Sequence, residues 1–133
     1  MKLLKSVPFL LSLFFFTQCT AQKAARTDWR FLADKWVNYG VDHDVILFGD
    51  LKDDFRQIKL RITDAPLRMY DMKVYFDNGD VQDVALKSLF KQGDESRIID
   101  LKGGMRHLGK IEFWYETKSV RKGKARVAVW GLR

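Results

Sequence analysis

The chain has 133 residues, one cysteine, two prolines and a formal net charge of +7. That length suits one domain around one core, and a lone Cys19 excludes an internal disulfide. No internal repeat, low-complexity segment, linker or nucleic-acid-binding motif is present, so the positive balance does not point to nucleic acid.

Lys2 and Lys5 precede an apolar run from Val7 to Phe16, interrupted by Ser12. The run has the length of a secretory h-region and is too short to span a bilayer. With Cys19 and Ala21 as the small residues of a cleavage site, residues 1–21 read as a signal peptide and 22–133 as one mature domain. Lipidation of Cys19 is a second route, although Gln18 before it is not the small residue that route prefers. The expected location is periplasmic or extracellular, either free or lipid-anchored through Cys19. No second long apolar stretch follows, so no transmembrane span is expected in the mature chain. Setting Lys2 and Lys5 aside leaves 22 Lys and Arg against 17 Asp and Glu, a net of +5.

The mature sequence is a series of short apolar runs with turn signals about every ten residues, a rhythm of all-β folds. Trp29 to Tyr39 starts by alternating (Trp29, Phe31, Ala33) and shifts phase near Trp36, which suits a bulge or break. Asp44 to Phe48 reads as a short buried strand ended by Gly49-Asp50. In "FRQIKLRI", Ile58, Leu60 and Ile62 share one face, a period of two rather than 3.6. Ala65-Pro66 breaks the chain. Met72, Val74 and Phe76 then alternate with Lys73, Tyr75 and Asp77, and Asn78-Gly79 supplies a hairpin turn before Val81 to Leu86 returns.

Ser88 to Glu95 is the expected helical turn or loop. Ser96 to Leu101 and Leu108 to Thr117 are strands, and Ala125 to Gly131 closes the domain. The expected architecture is all-β: a single antiparallel β-sandwich of about eight strands with little helix. Lys118 to Arg126, "KSVRKGKAR", carries five bases and no acid. It reads as a solvated hairpin loop, with contact to anionic envelope lipid or polysaccharide as the sharper alternative.

Four groupings carry candidate chemistry. Gly103-Gly104 permits a tight or left-handed backbone, and Asp100 and Arg106 on either side of that turn are expected to brace it. Arg97 and Arg106 are the alternative anion holders, since planar bidentate recognition suits Arg. Asp42, Asp44 and Asp50 form a calcium candidate, but their spacing does not fit an EF-hand loop, and solvated turn acids are the plainer reading. His43 and His107 lie on separate segments without zinc-ligand spacing.

Nucleophilic catalysis has no motif here: no mature cysteine, no G-x-S-x-G and no Ser-His-Asp set. Ser96, near Arg97, Asp100 and His107, is expected to bond backbone. Glu112 and Glu116 share a strand face but lie roughly 13 Å apart by strand rise, too far for paired-carboxylate work.

The aromatic pattern is more informative. With Ile111, Phe113 and Tyr115 inward, Trp114 faces outward between Glu112 and Glu116. With Val127 and Val129 inward, Arg126, Ala128 and Trp130 face outward. If the two strands pair as a hairpin, Trp114 and Trp130 share one outer face, a platform for sugar or peptide.

"GDESRIIDLKGGMRHLGKIEFWYE" followed by "ARVAVWG" resembles the signature of an uncharacterised family of small secreted bacterial β-sandwich proteins. Gly93, Ser96, Arg97, Ile99, Asp100, Leu101, Gly103, Arg106, Ile111 and Tyr115 match that family's S-R-x-I-D-L-x-G-x-x-R pattern and its surroundings. Leu108 stands where Ile is usual. "DHDVILF" and "VYFDNGDVQDVAL" resemble the family's D-x-D-x-I strand and N-G hairpin, so the likeness runs from Trp29 to Gly131. The resemblance implies the fold and the export route and brings no activity.

The functional expectation is a non-catalytic secreted or cell-envelope module that binds or scaffolds, without a cofactor. Its ligand-binding candidates are Trp114, Trp130, Arg97 and Arg106, with an envelope glycan as the leading ligand. A protein–protein assembly factor is the alternative, and a hydrolase built on Arg97, Asp100, Arg106 and His107 comes third.

Overall fold

The computed structural model describes residues 28–117 and 124–133. The expected signal peptide, Cys19 and the basic run over residues 118–123 lie outside the described residues. Nine strands are present among the described residues, and no helix. They are β1 (Arg30–Trp36), β2 (Gly40–Leu47), β3 (Gln57–Thr63), β4 (Leu67–Phe76), β5 (Val81–Val84), β6 (Ser88–Phe90), β7 (Ile99–Asp100), β8 (Leu108–Thr117) and β9 (Arg126–Leu132).

They form two antiparallel sheets. The first has the order β1-β9-β3-β7 and the second β2-β8-β4-β5, with β6 also on β4. Ile58, Leu60 and Ile62 of β3, Met72 and Val74 of β4, Ile111, Phe113 and Tyr115 of β8, and Val127 and Val129 of β9 are all fully buried. Period-two alternation gives each of these strands one apolar row, and the two sheets bury their rows against each other.

The all-β sandwich is therefore as the sequence indicates, with differences in detail. Ser88 to Phe90 is a strand rather than a helical turn, because Leu67, Arg68 and Met69 of β4 extend far enough to pair with it. The turn follows it, with the Asp94 N–H donating to the Lys91 carbonyl. Ser96 to Leu101 makes strand pairs only at Ile99 and Asp100, opposite Ile58 and Gln57. The short run at Asp44 is the inner part of β2, an edge strand in which Ile46 is buried and Leu47 is 71% exposed.

The irregularity in β1 lies between Phe31 and Ala33, where Leu32 is the extra residue, rather than at Trp36. The bulge resets the phase. Phe31 opposite Trp130, Asp34 opposite Ala128 and Trp36 opposite Arg126 then share the outer face of the first sheet.

The expected hairpin between β8 and β9 is not formed. β8 lies between β2 and β4 in the second sheet, and β9 lies between β1 and β3 in the first. The chain crosses from one sheet to the other between them. Both tryptophans still point out of the core, but from opposite sheets, so Trp114 and Trp130 are on opposite outer faces and form no joint platform.

Candidate functional site

Each outer face carries its own aromatic set. On the first sheet, Trp130 of β9 meets Phe31 of β1 edge-on, with ring centroids 5.6 Å apart and planes at 73°. On the other side of Trp130, its strand neighbour Lys59 places its amine 4.6 Å over the Trp29 ring. Further along, Trp36 lies across from Arg126, whose guanidinium is 5.7 Å from the Phe31 centroid and is paired with Asp34. Phe31 is 46% exposed and Trp36 52%.

Four aromatic rings thus share one sheet face with cations set between them. The Trp130 indole N–H is buried and makes no hydrogen bond among the described residues. Ala128, the small outward residue at the centre, is itself covered.

The outer face of the second sheet is more polar. Trp114 sits beside His43 of the edge strand, with rings stacked 6.0 Å apart at 18°, and Lys73 places its amine 6.0 Å from the Trp114 ring. The Tyr75 hydroxyl donates to Glu112 at 3.0 Å, and the Tyr70 hydroxyl donates to Glu116. Each phenol is raised above its ordinary value, first by the carboxylate it donates to and then by desolvation. These carboxylates hold hydroxyl groups of their own chain, an arrangement that fixes the two tyrosine rings.

The residues around the Gly103-Gly104 turn do not gather as a site. Both glycines have positive φ, +92° and +82°, as the turn requires. Arg106 is not braced by Asp100. It donates to the Lys102 carbonyl at 2.7 Å, to Asn78 at 3.2 Å and to Asp80 at 3.1 Å, and its guanidinium carbon lies 3.9 Å over the Phe76 ring. It therefore ties the glycine turn to the β4–β5 hairpin. Asp80 is held below its ordinary value first by Asn78 and then by Arg106. Asp100 accepts instead from Gln57 at 2.7 Å.

Arg97 donates to the Ala85 carbonyl at 3.1 Å. Ala85 and Asp80 flank opposite ends of four-residue β5, a separation of roughly 17 Å at strand rise. Arg97 and Arg106 are anchored at those two ends and do not converge on one anion.

The other sequence candidates are also tied into the fold. The Ser96 hydroxyl accepts the Leu60 N–H at 2.8 Å and donates to the Arg97 carbonyl at 2.8 Å. His107 contacts Asp54 at 3.0 Å. Asp44 accepts from the buried Tyr115 hydroxyl at 2.7 Å, and Asp42 accepts the His43 N–H. Burial first, and then Asp44, push the Tyr115 phenol well above its ordinary range. Among the described residues no three His, Cys, Asp or Glu side chains are grouped to hold a metal ion, so Asp42, Asp44 and Asp50 do not assemble a calcium site.

Sequence reading missed two features. The sharing of the Trp130 face by Phe31 and Trp36 depends on the bulge falling at Leu32; the phase shift in the sequence signalled an irregularity in this segment but not that position. Gln82 is buried and bridges the sheets, donating to the Asp100 carbonyl at 2.9 Å and accepting the Lys102 N–H at 2.8 Å. The available signal was Gln82 two residues before Val84, a polar side chain at an inward position of β5.

A family model described as a domain of unknown function (DUF2541) matches residues 8–131, and the chain belongs to that family. No curated protein matches the chain. Among solved structures, AlgX of Pseudomonas aeruginosa is similar at 12% identity and a TM-score of 0.49, over 78% of this chain and 26% of that one. This chain spans about a quarter of the length of that protein's chain. No helix among the described residues is long and apolar enough to cross a membrane.

Proposed function

We propose that this member of the DUF2541 family is an exported, non-catalytic binding module that holds an envelope glycan on the outer face of its first sheet. The observation that carries the reading is the aromatic strip there: Phe31 and Trp36 about half exposed, with Trp130 and Trp29 beside them. Large aromatic patches are seldom left bare without a partner. The C–H faces of sugar rings pack on aromatic rings, and the charged pairs Asp34–Arg126 and Lys59–Glu95 lie within the same strip to meet hydroxyl groups.

Trp36 and Trp130 sit at registers four residues apart along β9, which is roughly 13 Å by strand rise. That length suits more than one sugar ring.

Export rests on the Lys-flanked apolar run from Val7 to Phe16 and puts the module where envelope glycans are. The non-catalytic reading is supported by the engagement of Ser96, Arg97, Asp100, Arg106 and His107 with separate structural partners.

Affinity electrophoresis in gels cast with envelope polysaccharides tests the reading. Retardation is expected for the native protein and for Trp114→Ala, and its loss for Phe31→Ala with Trp36→Ala. Unretarded native protein in every glycan, or a doubly substituted chain retarded as strongly as the native one, would sink it.

A second reading, assembly with another protein, has its own observation. β2 is an edge strand with Val41 74% and Leu47 71% exposed, and such an edge can accept a further strand. Cross-linking in cells from a cysteine placed at Val41 separates the two: a discrete protein adduct favours assembly.

A further inference from the structure

The outer face of the second sheet carries a separate feature at its β4–β6 end. Arg68, Met69 and Tyr70 of β4, with Lys87, Ser88 and Leu89, line a hollow of about 250 Å³. The strand pairing forms it, setting Arg68 opposite Leu89 and Met69 opposite Ser88.

Its two cations are both exposed, and neither makes an ion pair among the described residues. A second hollow of about 220 Å³ is lined by Asp28, Arg30, Leu132 and Arg133, and it differs in this respect. There Arg30 and Arg133 both face Asp53, which neutralises part of their charge. In the first hollow Glu116 stands across from Arg68 on β8, but its carboxylate accepts from the Tyr70 hydroxyl and forms no ion pair with Arg68 or Lys87. That bond holds the Tyr70 ring as a wall. Leu89, 61% exposed, supplies an apolar surface opposite Arg68, and Ser88 precedes it, also exposed.

We propose that this hollow binds a small organic anion, a carboxylate or phosphate ester whose charge meets Arg68 and Lys87 and whose carbon body packs on Tyr70 and Leu89. Two like charges drawn to one hollow repel each other, and an anion between them relieves that repulsion. Arg68 offers a planar pair of donors and Lys87 a mobile point charge, a combination that accepts either oxyanion. The site lies on the other side of the sandwich from the aromatic strip and is independent of what that strip binds.

Amide chemical shifts of the full chain test this with three probes at fixed ionic strength: phenyl phosphate, inorganic phosphate and phenol. Phenyl phosphate is expected to give saturable shifts at Arg68, Tyr70, Ser88 and Leu89 and to bind more tightly than either of its halves. Arg68→Gln and Lys87→Gln should each weaken it by about fivefold, as expected of exposed charge pairs. The melting temperature should not change. Added salt should weaken binding further. Phenol binding as tightly as phenyl phosphate, shifts that never saturate, or native affinity in the doubly substituted chain would each overturn the proposal.

Discussion

Leu32, the bulged residue of β1, fills the space in which a side chain at Gly131 would sit. A Cβ on Gly131 would lie 2.8 Å from Leu32 Cδ1 and 2.8 Å from Phe55 Cδ1. The glycine that closes β9 is thus required by packing, not by backbone conformation. Gly131→Ala is expected to destabilise the domain by about 1–3 kcal/mol, the usual range for overpacking. Leu32→Ala should recover part of that loss, since Phe55 still crowds the site. Urea unfolding of the two variants and their combination checks this; additive losses would contradict it.

Gln82 is the buried clasp between the sheets. Replacing it with Leu leaves the Asp100 carbonyl and the Lys102 N–H without their partners. A loss of about 1–3 kcal/mol is expected. Hydrogen exchange at the Lys102 amide should speed up more than at Leu60, whose bond to Ser96 is untouched. Equal protection at Lys102 in both proteins would count against the clasp.

Arg106 combines a stacked guanidinium over Phe76 with a fork of donors to three groups. Lysine has neither the plane nor the fork. Arg106→Lys should therefore cost about 1–2 kcal/mol, from the stack and the carbonyl hydrogen bond. A loss within the error of a urea melt would show that the stack contributes little.

The pH profile follows from groups held off their ordinary values. Asp53, held down by its hydrogen bond to Arg30, and Asp80, held down by Asn78 and Arg106, both lie below the ordinary 3.8 when folded. Their contribution is present above about pH 3.8 and is lost as pH falls through the lowered values. Tyr70, Tyr75 and Tyr115 are raised above 10.0, by Glu116, by Glu112 and by burial respectively. Their contribution is full below pH 10 and is lost as pH rises beyond it. Tyrosinate absorbance should lag a free-tyrosine curve and then rise together with unfolding. Three phenols ionising freely near pH 10 in folded protein would refute these contacts.

On the aromatic strip, Trp36→Ala should lower glycan affinity by about tenfold, a change of about 1.4 kcal/mol, near the worth of one aromatic contact. Folding stability should change little, because Trp36 is 52% exposed. Trp114→Ala is the matched control on the opposite face. Titration by intrinsic fluorescence distinguishes the two; equal loss from both would place the ligand elsewhere.

Much of this was written in the order of residue types. The alternation of Ile58, Leu60 and Ile62, and of Ile111, Phe113 and Tyr115, fixes strand character and tells which side chains turn inward. Asn78-Gly79 fixes a hairpin, and Gly79 has the positive φ of 91° that such a turn uses. Gly103-Gly104 fixes the second turn. These are local properties, set by pleat geometry and backbone sterics, and they need no knowledge of partners.

Partners were the province of the tertiary structure. An inward apolar row is satisfied equally by either sheet, so alternation says that Trp114 and Trp130 point outward but not that they point in opposite directions. The pairing of β8 with β2 and β4, and of β9 with β1 and β3, decided that. Arg106 can reach several acids, and the fold selected Asp80 over Asp100, six residues away in sequence, because β5 returns beside the glycine turn. The bulge at Leu32 then brought Phe31 and Trp36 onto the Trp130 face. In each case the sequence set the direction of a side chain, and long-range strand pairing set what it met.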